Sequence, residues 1–186
     1  MKIFFSSDHH FFHSNIIKYC SRPFADADSM NAEMAQLWND VVGKEDLVIY
    51  VGDMTAGLRG RISEFSELIS SLHGKKILIR GNHDHQTDEW YRQAGFINVV
   101  ESINLGGVLL IHYSLKEALS RNLDSSKWGE VEHVIHGHTH TVDTPNHENH
   151  FNVAADRNDY RPVACEVAVP QNLHVSFIAA LESFIL

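Results

Sequence analysis

At 186 residues the chain suits a single domain, 1–186, with a full hydrophobic core. A hydrophobic share of 44% beside 21% charged residues is ordinary for a soluble globular protein. The formal net charge of -9 argues against an electrostatic grip on long nucleic acid, which needs a basic face.

In chain order, Lys2 to Ser7 reads as a strand ending just before Asp8. A helix is expected after Asp28 and Ser29, where Met30, Met34, Leu37, Trp38 and Val41 recur at helical spacing, with Gly43 as its stop. Leu47 to Val51 is a continuous apolar run, the pattern of a buried strand. Ile62, Phe65, Leu68, Ile69 and Leu72 predict a second amphipathic helix, closed by Gly74. A third strand follows at Ile77 to Ile79, and a short helix through Trp90 to Ala94.

Beyond Ile97 the pattern changes. Val99 to Leu105 and Val108 to Ile111 flank Gly106-Gly107, a hairpin signal. Val131 to Ile135, Phe151 to Ala154 and Val163 to Val169 predict further strands, and Leu173 to Leu186 a strand running into a helix. The expected architecture is a layered α/β domain, with a βαβαβ first half and a more antiparallel second half.

Polar motifs close or follow these apolar runs: Asp8-His9-His10, Gly52-Asp53, Gly81-Asn82-His83-Asp84, His112 and Gly137-His138-Thr139-His140. Open α/β sheets assemble their sites beyond the carboxyl ends of their strands, so the repeated placement matters more than any one motif. Asp8 and His10, two apart at a strand end, point to one side of the chain. His138 and His140 repeat that spacing, Asp53 offers a carboxylate that could bridge two ions, and Asn82 and His112 add a carbonyl oxygen and an imidazole. Mixed carboxylate and imidazole donors suit manganese, iron or zinc rather than calcium. Pooled, they suffice for two divalent ions that activate a bridging hydroxide and clamp phosphoryl oxygens. His83 is left outside that set, where a general acid would protonate the leaving oxygen. Asp84 either orients His83 or caps the following helix.

The ordered set Asp-x-His, Gly-Asp, Gly-Asn-His-Asp, His and Gly-His-x-His, over residues 8 to 140, resembles the calcineurin-like metallophosphoesterase superfamily. The string Asp8 to Asn15 followed by Arg22-Pro23-Phe24 is similar to a subgroup of small, capless bacterial and phage phosphoesterases. The resemblance implies a two-sheet β-sandwich flanked by helices, a four-layer α/β/β/α fold. It implies that Asp8, His10, Asp53 and His140 hold one metal, that Asp53, Asn82, His112 and His138 hold the other, and that His83 is the acid. Manganese is the first expectation for both ions, with iron, zinc, nickel or cobalt as alternatives. Many relatives carry a second Asp three residues beyond the bridging one to orient the catalytic histidine; here that position is Ala56.

His13 and Arg22 belong to the subgroup's string and could meet the substrate phosphate beside Asn82. A surface ion pair for Arg22 and a loop cap for His13 are equally open. His9 should point away from its neighbours into packing, and His136 could support the site from behind His138. His147, His150 and His174 carry no assigned role, and Asn152 to Pro162, with Asp156 and Tyr160, either walls the site after the last ligand pair or, the favoured reading, is an ordinary loop. Cys20 and Cys165 fit no zinc or redox spacing and read as thiols in a reducing cytoplasm. The N-terminus is interrupted by Asp8 too soon for a signal peptide, and no apolar run reaches transmembrane length, so a cytoplasmic location and no membrane partner are expected. The expected function is hydrolysis of phosphomonoesters or phosphodiesters, small molecules or nucleotides. The rival is a non-catalytic metal-binding or interaction protein on the same fold.

Overall fold

The apolar runs that end on the polar motifs lie side by side. In the computed structural model, which describes residues 1–56, 58, 60–140 and 149–185, β1 (Ile3–Ser6), β2 (Leu47–Val51), β3 (Lys75–Ile79) and β4 (Phe96–Val100) pair in parallel. Phe5 stands opposite Ile49, and Ile49 opposite Ile77. Every residue of β1 and β2 is buried, as is β3 apart from Lys75, which is why these strands show no polar alternation.

Alternate residues serve two different cores, as the period of a strand requires. Phe4, Val48, Tyr50 and Leu78 pack under α1 (Ser14–Tyr19), α2 (Ala27–Asn39), α3 (Ile62–Ser71) and α4 (Asp88–Gln93), meeting Ile16, Met30, Met34, Trp38, Phe65, Ile69 and Tyr91. The opposite face, with Ile3, Phe5, Ile49, Val51, Ile77 and Ile79, packs against the second sheet. In α2 the residues Met30, Met34 and Trp38 recur every four positions, and all three are fully buried. The helix starts at Ala27, ahead of the predicted Asp28-Ser29, because Asp26 accepts from the Ser29 amide while the Ser29 hydroxyl answers the Asp26 amide. A reciprocal cap of this kind is worth about 1 kcal/mol.

After β4 the chain crosses to the second sheet: β5 (Ser102–Leu105), β6 (Val108–Ile111), β7 (His133–His136) and β8 (His150–Asn152), in that spatial order. The predicted single strand Val99 to Leu105 is therefore two strands in different sheets, parted at the exposed Glu101, where the chain bends between layers. The Gly106-Gly107 hairpin joins β5 and β6 as expected. β6, β7 and β8 are parallel, however, so the second half is less antiparallel than the sequence suggested. The outer face of this sheet, with Leu109, Ile111 and Val134, is covered by Ala118 of α5 (Leu115–Ser120) and by Trp128.

Two sheets flanked by helices give the predicted four layers. β9 (Val163–Ala164) pairs antiparallel with β1, and the two sheets are bridged at Ser7 and Ala154. The rest of the predicted Val163 to Val169 strand is α6 (Cys165–Ala168). Burial explains the switch: Cys165, Ala168 and Val169 are inside while Val167 is exposed, a helical rather than alternating pattern. Of the predicted strand and helix at Leu173 to Leu186 only the helix forms among the described residues, as α7 (His174–Ile185), with Phe177 and Leu181 in the inter-sheet core. His147 and Leu186 lie outside the described residues.

Candidate functional site

The polar motifs sit on the turns that leave β1, β2, β3, β6 and β7, so the topology brings them to one end of the sandwich. The backbone there is unusual. Asp8, His10, Asp53, His138 and His140 all adopt positive φ, between 27° and 66°, a region that non-glycine residues rarely enter and that concentrates at functional sites. Asp8 and His10 thus share a side because both residues are left-handed, not because a strand continues through them. The turns brace each other: the Asp8 amide donates to the Gly52 carbonyl at 2.9 Å, and the His10 amide to the Asp53 carbonyl at 3.1 Å. Three glycines of these turns are required by close approach, Gly52 because a Cβ there would overlap His112 Nδ1 and the Gly81 backbone. A Cβ at Gly81 would overlap the Asp53 carboxylate, and one at Gly137 would overlap Asp8 Oδ2 and Ser7 Oγ.

Two trios of donors result. Asp8, His10 and His140 each offer an atom within 4.8 Å of the others, as do Asp53, His112 and His138. Asp53 Oδ2 stands between them, 3.6 Å from His10 Nε2 and 3.4 Å from His112 Nε2. Asn82 Oδ1 is 3.2 Å from His112 Nε2, which is 3.2 Å from His138 Nδ1. All seven residues expected as ligands are therefore gathered in one place.

Hydrogen bonding selects the nitrogen each ring presents. His112 Nδ1 donates to the Val51 carbonyl at 2.9 Å, and His140 Nδ1 to Asp156 Oδ2 at 2.7 Å, leaving both Nε2 atoms turned to the centre. His138 does the reverse, with Nε2 3.2 Å from Glu117 Oε1 and Nδ1 inward. His10 Nε2 then faces His140 Nε2 at 3.2 Å, and fully buried Asp8 Oδ1 has no hydrogen-bond partner among the described residues. Ring nitrogens facing one another beside an unsatisfied carboxylate oxygen suit divalent cations.

The electrostatics express the same demand for positive charge. Burial would lower His112, but the hydrogen bond and charge of Asp53, with the charge of Asp8, raise it to about 9. Burial would lower His140, but hydrogen bonds with Asp156 and Cys20 and the charge of Asp8 raise it to about 10. Asp53 is pressed upward by burial yet held below the usual carboxylate range by His112, His10 and the His83 amide. Asp8 is raised, as burial exceeds the pull of His112 and His140. Divalent ions would replace the protons that these imidazoles otherwise retain.

Other expected residues fall differently. His83 lies next to the cluster, its ring centroid 5.2 Å from that of His10 and its amide donating to Asp53 Oδ1 at 2.8 Å. Asp84 neither orients His83 nor caps α4, whose N-cap is Thr87. Its carboxylate instead accepts from the amides of Gly81, Asp53 and Met54 and from the Tyr91 hydroxyl, clamping the Asp53 turn. Burial, with the nearby charge of Asp53, raises Asp84 to about 6.

Arg22 is buried and held by the protein's own groups. Its side chain is fully buried, pairing with both Asp156 oxygens at 2.7 Å and donating to the carbonyls of Asp8 and His9. The reason is chemical: the planar fork that suits phosphate suits a carboxylate and a turn of backbone equally well. His13 precedes α1 without capping it through its side chain and borders a cavity with Phe12, Ser14, Asn15, Ala56, Leu58 and Arg61. His9 is buried against Tyr50, Phe11 and Trp38, as packing predicted. His136 bonds the Gly137 carbonyl beside the ligand turn.

Two residues hold the rings in place: Asp156, in the stretch weighed as a wall of the site but favoured as an ordinary loop, and Glu117 on α5, to which sequence reasoning assigned no role. Neither lies in a motif, and their spacing to His140 and His138 is set by tertiary packing alone.

Comparison with known proteins agrees with this geometry. Residues 1–155 match the calcineurin-like phosphoesterase superfamily domain. The chain is 33% identical over 178 residues to the uncharacterized protein MJ1445 of Methanocaldococcus jannaschii, covering 90% of this chain and 89% of that one. It is 30% identical over 161 residues to the Gene 66 protein of Mycobacterium phage D29, covering 75% and 78%. A solved structure from Aquifex aeolicus, a protein of unknown function, shares the fold with a TM-score of 0.62 at 24% identity, over 88% of this chain and 95% of that one. The chain belongs to the calcineurin-like phosphoesterase superfamily.

Proposed function

We propose that this protein is a metal-dependent phosphoesterase that hydrolyses phosphomonoesters or phosphodiesters, small molecules or nucleotides, at a centre for two divalent ions. The observation that carries the reading is Asp53, which belongs to one donor trio and whose Oδ2 reaches His10 of the other. Asp8, His10, Asp53 and His140 would hold one ion, and Asp53, Asn82, His112 and His138 the other. Such ions, manganese first among them, supply charge stabilisation to phosphoryl oxygens and lower the pKa of water.

The chain's own residues do the rest. Asp156 and the Val51 carbonyl fix the tautomers of His140 and His112, so that unprotonated nitrogens face inward. Asp84 holds the turn that carries Asp53. His83, beside His10 and outside the donor set, is positioned to give a proton to the leaving oxygen. The position where relatives place a carboxylate for that histidine is Ala56, so His83 acts without that partner.

Hydrolysis of a chromogenic phosphomonoester and a matching phosphodiester, with Mn2+ added or metal chelated, tests the reading in wild type and Asp53→Asn. Metal-dependent turnover that collapses in the variant is expected. Stoichiometric metal binding without turnover on these or on nucleotides and cyclic nucleotides would overturn it in favour of a binding protein.

A further inference from the structure

We propose that Cys20, Asp156 and the outer edge of His140 form a separate site for a thiophilic divalent cation, such as Zn2+ or Cd2+. The donor atoms of these three residues lie within 4.8 Å of one another. Their chemistry differs from that of the main centre. Neither of the other donor trios contains sulfur, whereas a thiolate with an imidazole and a carboxylate is a set that zinc and its softer congeners select. Access is available, because Cys20 lies at the end of α1 and is only partly buried.

The surroundings are built rather than incidental. The Asp156 side chain is almost fully buried and clamped by Arg22, so the carboxylate is held against the His140 ring. A carboxylate has about four acceptor positions. Arg22 takes two of them and His140 Nδ1 a third, so replacing the Nδ1 proton with a cation leaves Arg22 in place. Coordination by all three residues, starting from the protonated His140 ring, forms a sulfur–metal, a nitrogen–metal and an oxygen–metal bond and releases two protons to solvent, from the Cys20 thiol and from His140 Nδ1, with the ring left neutral.

The consequence lies in the shared ring. His140 Nε2 faces Asp8, 3.5 Å away, while Nδ1 faces Asp156. A cation on the Nδ1 side takes over the hydrogen bond that orients the ring, so soft-metal binding and the inward donor set are coupled through one imidazole. The proposed site does not depend on phosphoester turnover.

The test is titration of the purified full chain with Cd2+, read by the ultraviolet sulfur-to-cadmium charge-transfer band. One equivalent per chain is expected in wild type and in Cys165→Ser, whose thiol is buried in α6, and no band in Cys20→Ser. Saturating Zn2+ should also slow alkylation of Cys20 by iodoacetamide by roughly tenfold or more, since the free thiolate is the reacting species. A band that persists in Cys20→Ser, no band in wild type, or alkylation indifferent to Zn2+ would overturn the proposal. An inactive protein that still shows the Cys20-dependent band would overturn the phosphoesterase reading alone.

Discussion

Asp156 Oδ2 lies 2.7 Å from His140 Nδ1, and the same carboxylate takes the Arg22 guanidinium on both oxygens. Since Arg22 also donates to the carbonyls of Asp8 and His9, this pair ties the first donor turn of the chain to the last. Asp156→Asn should therefore do two things. Leaving a buried Arg22 without its partner costs about 3–5 kcal/mol of stability, read by denaturant unfolding. Releasing the His140 ring weakens metal binding by about 10–100-fold, read by calorimetric titration.

His83→Ala should leave metal stoichiometry intact, because the ring stands outside both donor trios. Its kcat should fall by about 10²–10⁴-fold, the range for loss of a positioned general acid. Steady-state kinetics paired with metal analysis checks this, and loss of metal in the variant would count against the assignment.

Gly137→Ala forces a methyl group into Asp8 Oδ2 and Ser7 Oγ. The bulk has nowhere to go, since Ser7 and Asp8 are both fully buried. The expected outcome is a loss of about 1–3 kcal/mol in stability, as for other overpacked cores. Hydrolysis should be lost as Asp8 is displaced.

Lys76 supplies a pH dependence far from the donors. Its ammonium is buried against the carbonyls of Leu72 and Gly74, and burial lowers it from 10.5 to about 8. Between those values the unfolded chain binds more protons than the folded one, so this residue's contribution to stability rises as pH climbs from about 8 to 10.5. The urea midpoint of wild type should rise relative to that of Lys76→Met across this window; parallel curves would refute it.

Much of the site is legible in the sequence because each donor follows an apolar run that must end where the sheet ends. The buried strands Leu47–Val51 and Lys75–Ile79 carry Asp53 and Asn82 to the same edge without further information. What the sequence hides is the support. Asp156 and Glu117 meet His140 and His138 only through folding, and no spacing rule links them. For Arg22 the sequence left phosphate contact and a surface ion pair equally open, because one guanidinium geometry serves phosphate and carboxylate alike; its burial against Asp156 comes only from folding. Cys165 to Val169 was misread because a short apolar run fits a strand or a buried helical turn, and only the exposure of Val167 separates them.

The turns at the amino ends of the strands have a different character. There the chain passes through Gly43, Lys44 and Glu45, all exposed, before Asp46 re-enters the structure by capping the Gly43 and Lys2 amides. Because every donor turn lies at the opposite end, this corner is the natural place to graft foreign sequence. A fluorophore, an affinity handle or a tethering domain inserted between Lys44 and Glu45 would ride on the protein with the donor turns left as they are.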